Sequence, residues 1–339
     1  MVIPIPAPVG GTDLEVRLIT TTGAALSPLE DLARLLGSGA GFVWLDIGEW
    51  DDAAEHVLTD TFHFNPMAIR DCSQRNQVPK VHVYADHVFV VLHAPQAGKA
   101  GHVHYIELDQ FIGTNYLVTV HGPVNPAVDP TATRVEVDAV LHRLDNGRMH
   151  PATPRDLSYA VVSALTGRLR TFTATLTKDG WRLEQQVTAG HLGDPEQFQE
   201  DMFRVRHGLL TVQTMCSLSH QVYGRMGAIA ALGQRGQQRI DDLVDQFQRL
   251  EVMADGQKDY LQGTIDFYQT RTNTKMTIAA ERLAVIAAVT LPVTALSSVL
   301  GMNVIVNEST QVPELAVLLA VMLVMSVLLL IWTKRLGWW

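Results

Sequence analysis

Apolar positions change their spacing along the chain, and each change marks a different kind of element. Over 13–120 they come in short alternating runs. Leu14–Thr20 alternates and is rich in branched residues, which predicts a strand, and Phe42–Ile47 predicts a second, buried one. Lys80–Tyr84 and His87–His93 predict a hairpin that turns near Ala85 and Asp86. Ile106–Gly113 and Asn115–His121 predict another pair. Between the strands, Ser27 is a good N-cap with Pro28 at the first helical position and Gly37 as the stop, and 50–62 predicts a short helix. These elements define an N-terminal α/β domain over 1–125.

Residues 122–155 are rich in Pro, Asp, Thr and His, with one short helix expected near 133–144. From 155 onward the apolar spacing becomes helical, as in Leu157, Ala160, Val161, Ala164, Leu165 and Leu169. Two long antiparallel helices are predicted, about 155–190 and 196–232, with Gly190, Gly193, Asp194 and Pro195 marking the turn. They make 126–236 a helical region. A third helix, 237–300, begins near Arg239 and meets no stop signal until Gly301. Some 60 helical residues span roughly 90 Å, longer than any globular core requires and suited to a stalk that enters a membrane.

Leu283–Leu300 is 18 residues without a charge, and Leu315–Thr333 is 19. Each is long enough to cross a hydrocarbon core of about 30 Å with its flanking residues. The spans are placed at about 280–300 and 315–333, joined by a loop over 301–314 and followed by a tail over 334–339. Arg271, Lys275 and Arg282 precede the first span, Lys334 and Arg335 follow the second, and the loop has neither Lys nor Arg. That asymmetry puts the large domain and both termini in the cytoplasm and the loop outside, in the cell (inner) membrane. Trp332, Trp338 and Trp339 suit interfacial anchors. Two spans cannot enclose a pore alone. Thr290, Pro292, Thr294, Ser297 and Ser298 make the first span polar for a lone anchor and suit contact between copies or a wet lumen.

Charge narrows the partners. The chain carries 35 acidic against 26 basic residues, net −9, which disfavours nucleic acid and favours cations. Its two cysteines, Cys72 and Cys216, form no CxxC pair, so neither a disulfide framework nor a zinc finger is expected. The N-terminus has no basic segment followed by an apolar run, and no signal peptide is read there. No nucleophile–base pair points to an enzyme, and the glycines near Gly233 lack the Lys-Ser/Thr of a phosphate loop.

Gly301-Met302-Asn303, placed after a long helix and a span, resembles the defining motif of the CorA family of magnesium channels. Pro313-Glu314-Leu315 resembles the family's start of the second span. Phe64–Asp71, Val78–Tyr84, Val88–Leu92 and Phe111–His121 are similar to its N-terminal pattern, so the resemblance covers nearly the whole chain in order. It implies an α+β membrane protein that assembles as a homopentameric channel, with a cytoplasmic α/β domain, a long helical stalk and two C-terminal transmembrane helices per subunit. It implies that Mg²⁺ is the transported ion and also a regulatory one. It places a selectivity filter at Gly301, Met302 and Asn303, where Asn303 offers a neutral oxygen to a hydrated ion. Thr294, Leu291, Leu283 and Ala280 match pore-facing positions, and Ala280 stands where the family often has Met. Leu291 and Leu283 would gate by dewetting. Glu308 and Glu314 in the outer loop would concentrate cations. Asp242 and Asp266, in the acidic series Asp241, Asp242, Asp245, Glu251, Asp255, Asp259 and Asp266, match a regulatory Mg²⁺ position and an inner-mouth position. The family's partner acid in the N-terminal domain has no counterpart in 96–101.

Two other readings remain. His102 and His104 share a strand face, with His82, His87 and His93 nearby, which suggests zinc. The sequence around Arg282-Leu283 and Leu291-Pro292 resembles ZntB zinc transporters, coupled to protons or not, although Met302 favours Mg²⁺. A two-span anchored scaffold or regulatory protein is the third reading.

Overall fold

The computed structural model describes residues 13–190, 194–229, 233–304 and 312–335. The N-terminal strands form one sheet of seven, in the order β2-β1-β3-β7-β6-β5-β4. Their ranges are β1 Leu14–Thr20, β2 Gly23–Ser27, β3 Phe42–Ile47, β4 Lys80–Val83, β5 Val88–Ala97, β6 Val103–Ile112 and β7 Tyr116–Val120. Among the described residues, only β3 and β7 run parallel. Those strands sit mid-sheet, and every residue of β3 is buried, as expected for a strand covered on both faces.

One face carries Val16, Val43, Leu45, Ile47, Phe89, Val91, Phe111, Val118 and Val120. It packs under α1 Leu32–Gly37, α2 Asp52–His56 and α3 Pro66–Ser73. These short helices are fixed at their starts by local chemistry. The Asp51 carboxylate accepts from Ala54 N at 2.7 Å. Asn65 Oδ1 accepts from Met67 N at 2.9 Å, and Pro66 stands at the first helical position. The other face is covered by α5 Pro154–Ala189, which packs on β3, β5, β6 and β7, and by α6 Pro195–Ile229, which packs on β4 and β5. A shorter helix, α4 Val135–Asp145, lies against α5.

Several boundaries differ from the sequence reading. The sequence does not predict strand β2, because Gly23–Ser27 holds no β-branched residue, and pairing with β1 creates it. Ser27 ends that strand instead of capping a helix. Pro28 is extended, and a 3-10 turn at Leu29–Asp31 leads into α1. The expected helix over 50–62 is α2 followed by a wide turn, Val57–Thr61. Thr153 caps α5, and Gly190 ends it in the left-handed region at φ 76°.

The third long helix, α7, spans Gly233–Val304 and starts before the expected 237. The chain divides into two compact units, Met1–Gln262 and Gly263–Trp339. Helices α5 and α6, in the helical region 126–236, cover the sheet and lie in the same compact unit as it. The division falls inside α7. In the second unit, α7 continues through Pro292 without ending, and α8 spans Val312–Arg335, longer than the expected 315–333. Gly301, Met302 and Asn303, expected to begin the loop, lie in the last helical turn of α7. Pro313 suits the first turn of α8. Glu308, Trp338, Trp339 and Gly193 lie outside the described residues.

Candidate functional site

At 100° per residue, Asp266, Ala280, Leu283, Leu291 and Thr294 fall within an arc of roughly 100° on α7. Leu283 and Leu291 are 66% and 65% exposed within the single chain. Ala280 and Asp266 are also exposed. Thr294 Oγ1 donates back to the Thr290 carbonyl at 2.8 Å, and Thr290 does the same to Ile286. Both hydroxyls keep lone pairs that can accept from water. Helix α7 holds a stretch of 18 residues with mean hydropathy 1.6, long and apolar enough to cross a membrane. On α8, Val317, Leu319, Val321, Leu323, Val324, Leu328 and Trp332 are exposed, a surface that suits lipid or other helices better than water.

The acids of α7 are not one solvated face. Asp242 is half-buried, and its Oδ2 accepts from the Tyr159 hydroxyl and from Gln246 Nε2, both at 2.6 Å. Asp255 accepts from Lys258 Nζ at 2.6 Å and Gln213 Nε2 at 2.7 Å, and those hydrogen bonds hold its carboxyl below the usual range. Asp241 accepts from Gln237 at 2.9 Å. Glu251 faces His220 at 3.6 Å. Among the described residues no group of three or more His, Cys, Asp or Glu converges as a metal cage. Gln96, in the segment 96–101 that lacks a carboxylate, accepts from Arg168 at 2.7 Å. The same guanidinium donates to the carbonyls of Pro95 and Ala132 and pairs with Glu136.

The histidines do not make the zinc site considered from sequence. His102 and His104 stack edge to face at 4.6 Å, without a third ligand among the described residues. His93 is fully buried on β5. Its Nε2–H donates to the Asn76 carbonyl at 2.8 Å, and burial lowers its pKa to about 4, so it is a neutral structural donor.

Two buried polar clusters escaped the sequence reading. On the α5 side of the sheet, burial would raise the Asp46 pKa. His121 Nε2 at 2.9 Å and Arg134 at 3.1 Å outweigh burial and hold it below the usual range. Thr119 donates to the same carboxylate, and Trp44 Nε1 donates to Thr119. Burial opposes the charge on His121, and the Asp46 carboxylate raises its pKa in spite of that. On the other face, Glu107 accepts from both nitrogens of Asn76. Burial raises it to about 7. Asp109 beside it is fully buried, and burial together with Glu107 pushes its carboxyl well up. The period-two pattern of β6 places both carboxyls on one face, opposite His93 and Val91. The alternation Glu-Leu-Asp sets both acids on one face, but their cover by α3 cannot be read from it.

Comparison with known proteins follows the same architecture. The family described as CorA-like Mg²⁺ transporter protein matches residues 39–335. A Bacillus subtilis (strain 168) protein, YfjQ, whose name assigns it provisionally as a metal ion transporter, is 23% identical over 337 residues, covering 96% of this chain and 98% of its own. The complete structure of the CorA magnesium transporter from Methanocaldococcus jannaschii superposes with a TM-score of 0.77 at 15% identity, covering 98% of this chain and 100% of that one. The full-length CmaX protein gives 0.76 at 15% identity, covering 96% and 100%. The cytoplasmic domain of ZntB from Vibrio parahaemolyticus gives 0.58 at 10% identity, covering 77% and 98%. At these identities the structures speak for the fold alone.

Proposed function

Because this chain belongs to the CorA-like Mg²⁺ transporter family, and with it is a membrane transporter of divalent metal ions, we propose that it conducts Mg²⁺ into the cell down its electrochemical gradient as a homopentamer. The observation that carries the reading is helix α7. One helix bears Asp242, the stripe of Asp266, Ala280, Leu283, Leu291 and Thr294, and Gly301-Met302-Asn303 at its end.

Five copies around an axis turn single positions into rings. Mg²⁺ holds its water tightly, so a filter works best by accepting hydrogen bonds from the hydrated ion. A ring of Asn303 amide oxygens does this without the strong binding of a carboxylate, and Gly301 allows close backbone approach. Glu308 and Glu314 raise the local cation concentration at the outer mouth. Below the filter, Thr294 offers hydroxyls to the hydration shell. Leu291 and Leu283 form apolar constrictions that conduct only when wide enough to stay wet. Ala280 in place of a bulkier residue leaves the inner side wider, and Asp266 attracts the ion as it leaves.

Gating uses Mg²⁺ itself. Asp242 already has two donors on one oxygen, so a bound ion takes further ligands from water or a neighbouring copy. Bound Mg²⁺ relieves repulsion between acidic faces and holds the closed state. Loss of the ion releases it. In this reading both termini lie in the cytoplasm and α7 from about 280, with α8, crosses the inner membrane, which the charge asymmetry around the spans supports.

Flux into proteoliposomes tests this. Mg²⁺ uptake is expected without a proton gradient, with Co²⁺ and Ni²⁺ as competitors, and Asn303→Ala reduces selectivity or abolishes flux. Absence of Mg²⁺ flux in purified oligomer overturns the proposal. Proton-dependent Zn²⁺ uptake would assign the protein to zinc transport, and unchanged flux in Asn303→Ala would remove the filter role.

A further inference from the structure

In an acidic chain, a concentration of unpaired positive charge needs a cause. A cavity of about 470 Å³ opens between α4, the connection to α5, α5 itself and the first part of α7. Arg143, Arg170, Arg239 and Arg249 line it, against the single carboxylate of Asp156. That carboxylate is already committed. Asp156 is 6% exposed, faces Arg239 at 2.7 Å and Arg235 at 3.4 Å, and accepts from Ala152 N. Arg143, Arg170 and Arg249 form no ion pair or side-chain hydrogen bond with any described residue. Elsewhere in the same unit some arginines find carboxylates, as Arg134 does with Asp13, Glu15 and Asp46 and Arg168 with Glu136, and others, such as Arg70 and Arg225, have no carboxylate partner among the described residues.

We propose that this cavity binds an anion bearing a chain of phosphates, with Arg143, Arg170 and Arg249 as its principal ligands. Three planar guanidinium groups from three different helices match several phosphates and over-supply one. The volume falls within the range of roughly 300–1,000 Å³ typical of small-molecule sites and is large for orthophosphate alone. Arg239 lies over the Tyr159 ring, 4.8 Å from its centre, so its planar face is held while Asp156 takes its edge. Tyr159 lines the cavity and also donates to Asp242. An anion there acts on the same side chains that hold Asp242. The source is either a nucleoside triphosphate or inorganic polyphosphate; both present the same chemistry to the arginines.

Calorimetry on the full chain in nanodiscs tests the site without any transport assay, so its failure is separate from failure of the flux reading. ATP and tripolyphosphate, each titrated with and without Mg²⁺, are expected to bind saturably, and orthophosphate much more weakly. ATP tighter than tripolyphosphate identifies a nucleotide site; equal affinity identifies inorganic polyphosphate. Arg143→Gln, Arg170→Gln and Arg249→Gln each weaken binding about tenfold or more, the usual worth of a charged hydrogen bond. Arg182→Gln, whose side chain pairs with Asp179, leaves it unchanged. All three cavity arginines are exposed, so the variants should elute and melt as the parent does. Absence of saturable heat with ATP and tripolyphosphate overturns the proposal. So does binding that survives Arg170→Glu combined with Arg249→Glu. A parent that takes up neither anion while the double reversal splits the oligomer also overturns it, assigning the arginines to acids of a neighbouring copy.

Discussion

Single residues show how far burial redirects chemistry that looks ordinary in sequence. Glu107 has a folded pKa of about 7 against 4.5 for a free side chain. Such a group binds its proton more tightly folded than unfolded. Its contribution is present at low pH and is lost as pH rises from about 4.5 through 7. Asp109 has the same sign. His93, lowered to about 4, acts oppositely, losing stability as pH falls from about 6.5 to 4. Comparing Glu107→Gln with the parent isolates the first term. Thermal melts should show the parent's advantage shrinking, or reversing, from pH 5 to pH 8. A difference that does not change with pH would mean that Glu107 is ionised in the fold throughout. The Asp46–His121–Arg134 cluster is the contrasting case, where partners outweigh burial and the charges persist.

At the scale of elements, α7 is the informative case. Pro292 would stop most helices, since it removes the donor that bonds residue 288 and crowds its carbonyl. Here the helix runs on to Val304. The helical period was legible, and by ideal helix geometry it sets Ala280, Leu283, Leu291 and Thr294 within one arc. The end at Gly301 was not legible, because Gly and Asn are favoured just beyond a helix end, whereas here Gly301 and Asn303 lie inside the last turn of α7. If Leu291 is a dewetting constriction, Leu291→Asn should keep water in it. Flux at saturating internal Mg²⁺ should rise about tenfold, equivalent to ~1.4 kcal/mol of barrier. Proteoliposome uptake with Mg²⁺ on both sides checks this; unchanged resting flux would place Leu291 in packing instead.

For the whole molecule, the sparse ligation at Asp242 matters most. Among the described residues no metal cage forms within one subunit, so an ion held by Asp242 draws on water or another copy. Mg²⁺ should therefore slow proteolysis of the intact oligomer, and chelation with EDTA should speed it. Asp242→Asn should be cleaved at the fast rate with or without Mg²⁺. Protection that is independent of Mg²⁺ in the parent would remove the regulatory role. Native mass measurement of the same sample counts the copies.

The sequence by itself determined the strands that alternate, the three long helices within a few residues, the two apolar segments and the motif that ties them to a family. Those features are periodic or local, and short-range physics fixes them. Tertiary structure decided what periodicity cannot encode. It made β2 a strand by pairing it with Leu14–Thr20 and joined α5 and α6 to the sheet as its cover. It buried Glu107 and Asp109 together. It tied Asp242 to Tyr159, 83 residues away, and gathered Arg143, Arg170 and Arg249 around one cavity. Each of these depends on contacts between residues distant in the chain, where burial and charge pairing are set by the partner and not by the neighbour in sequence.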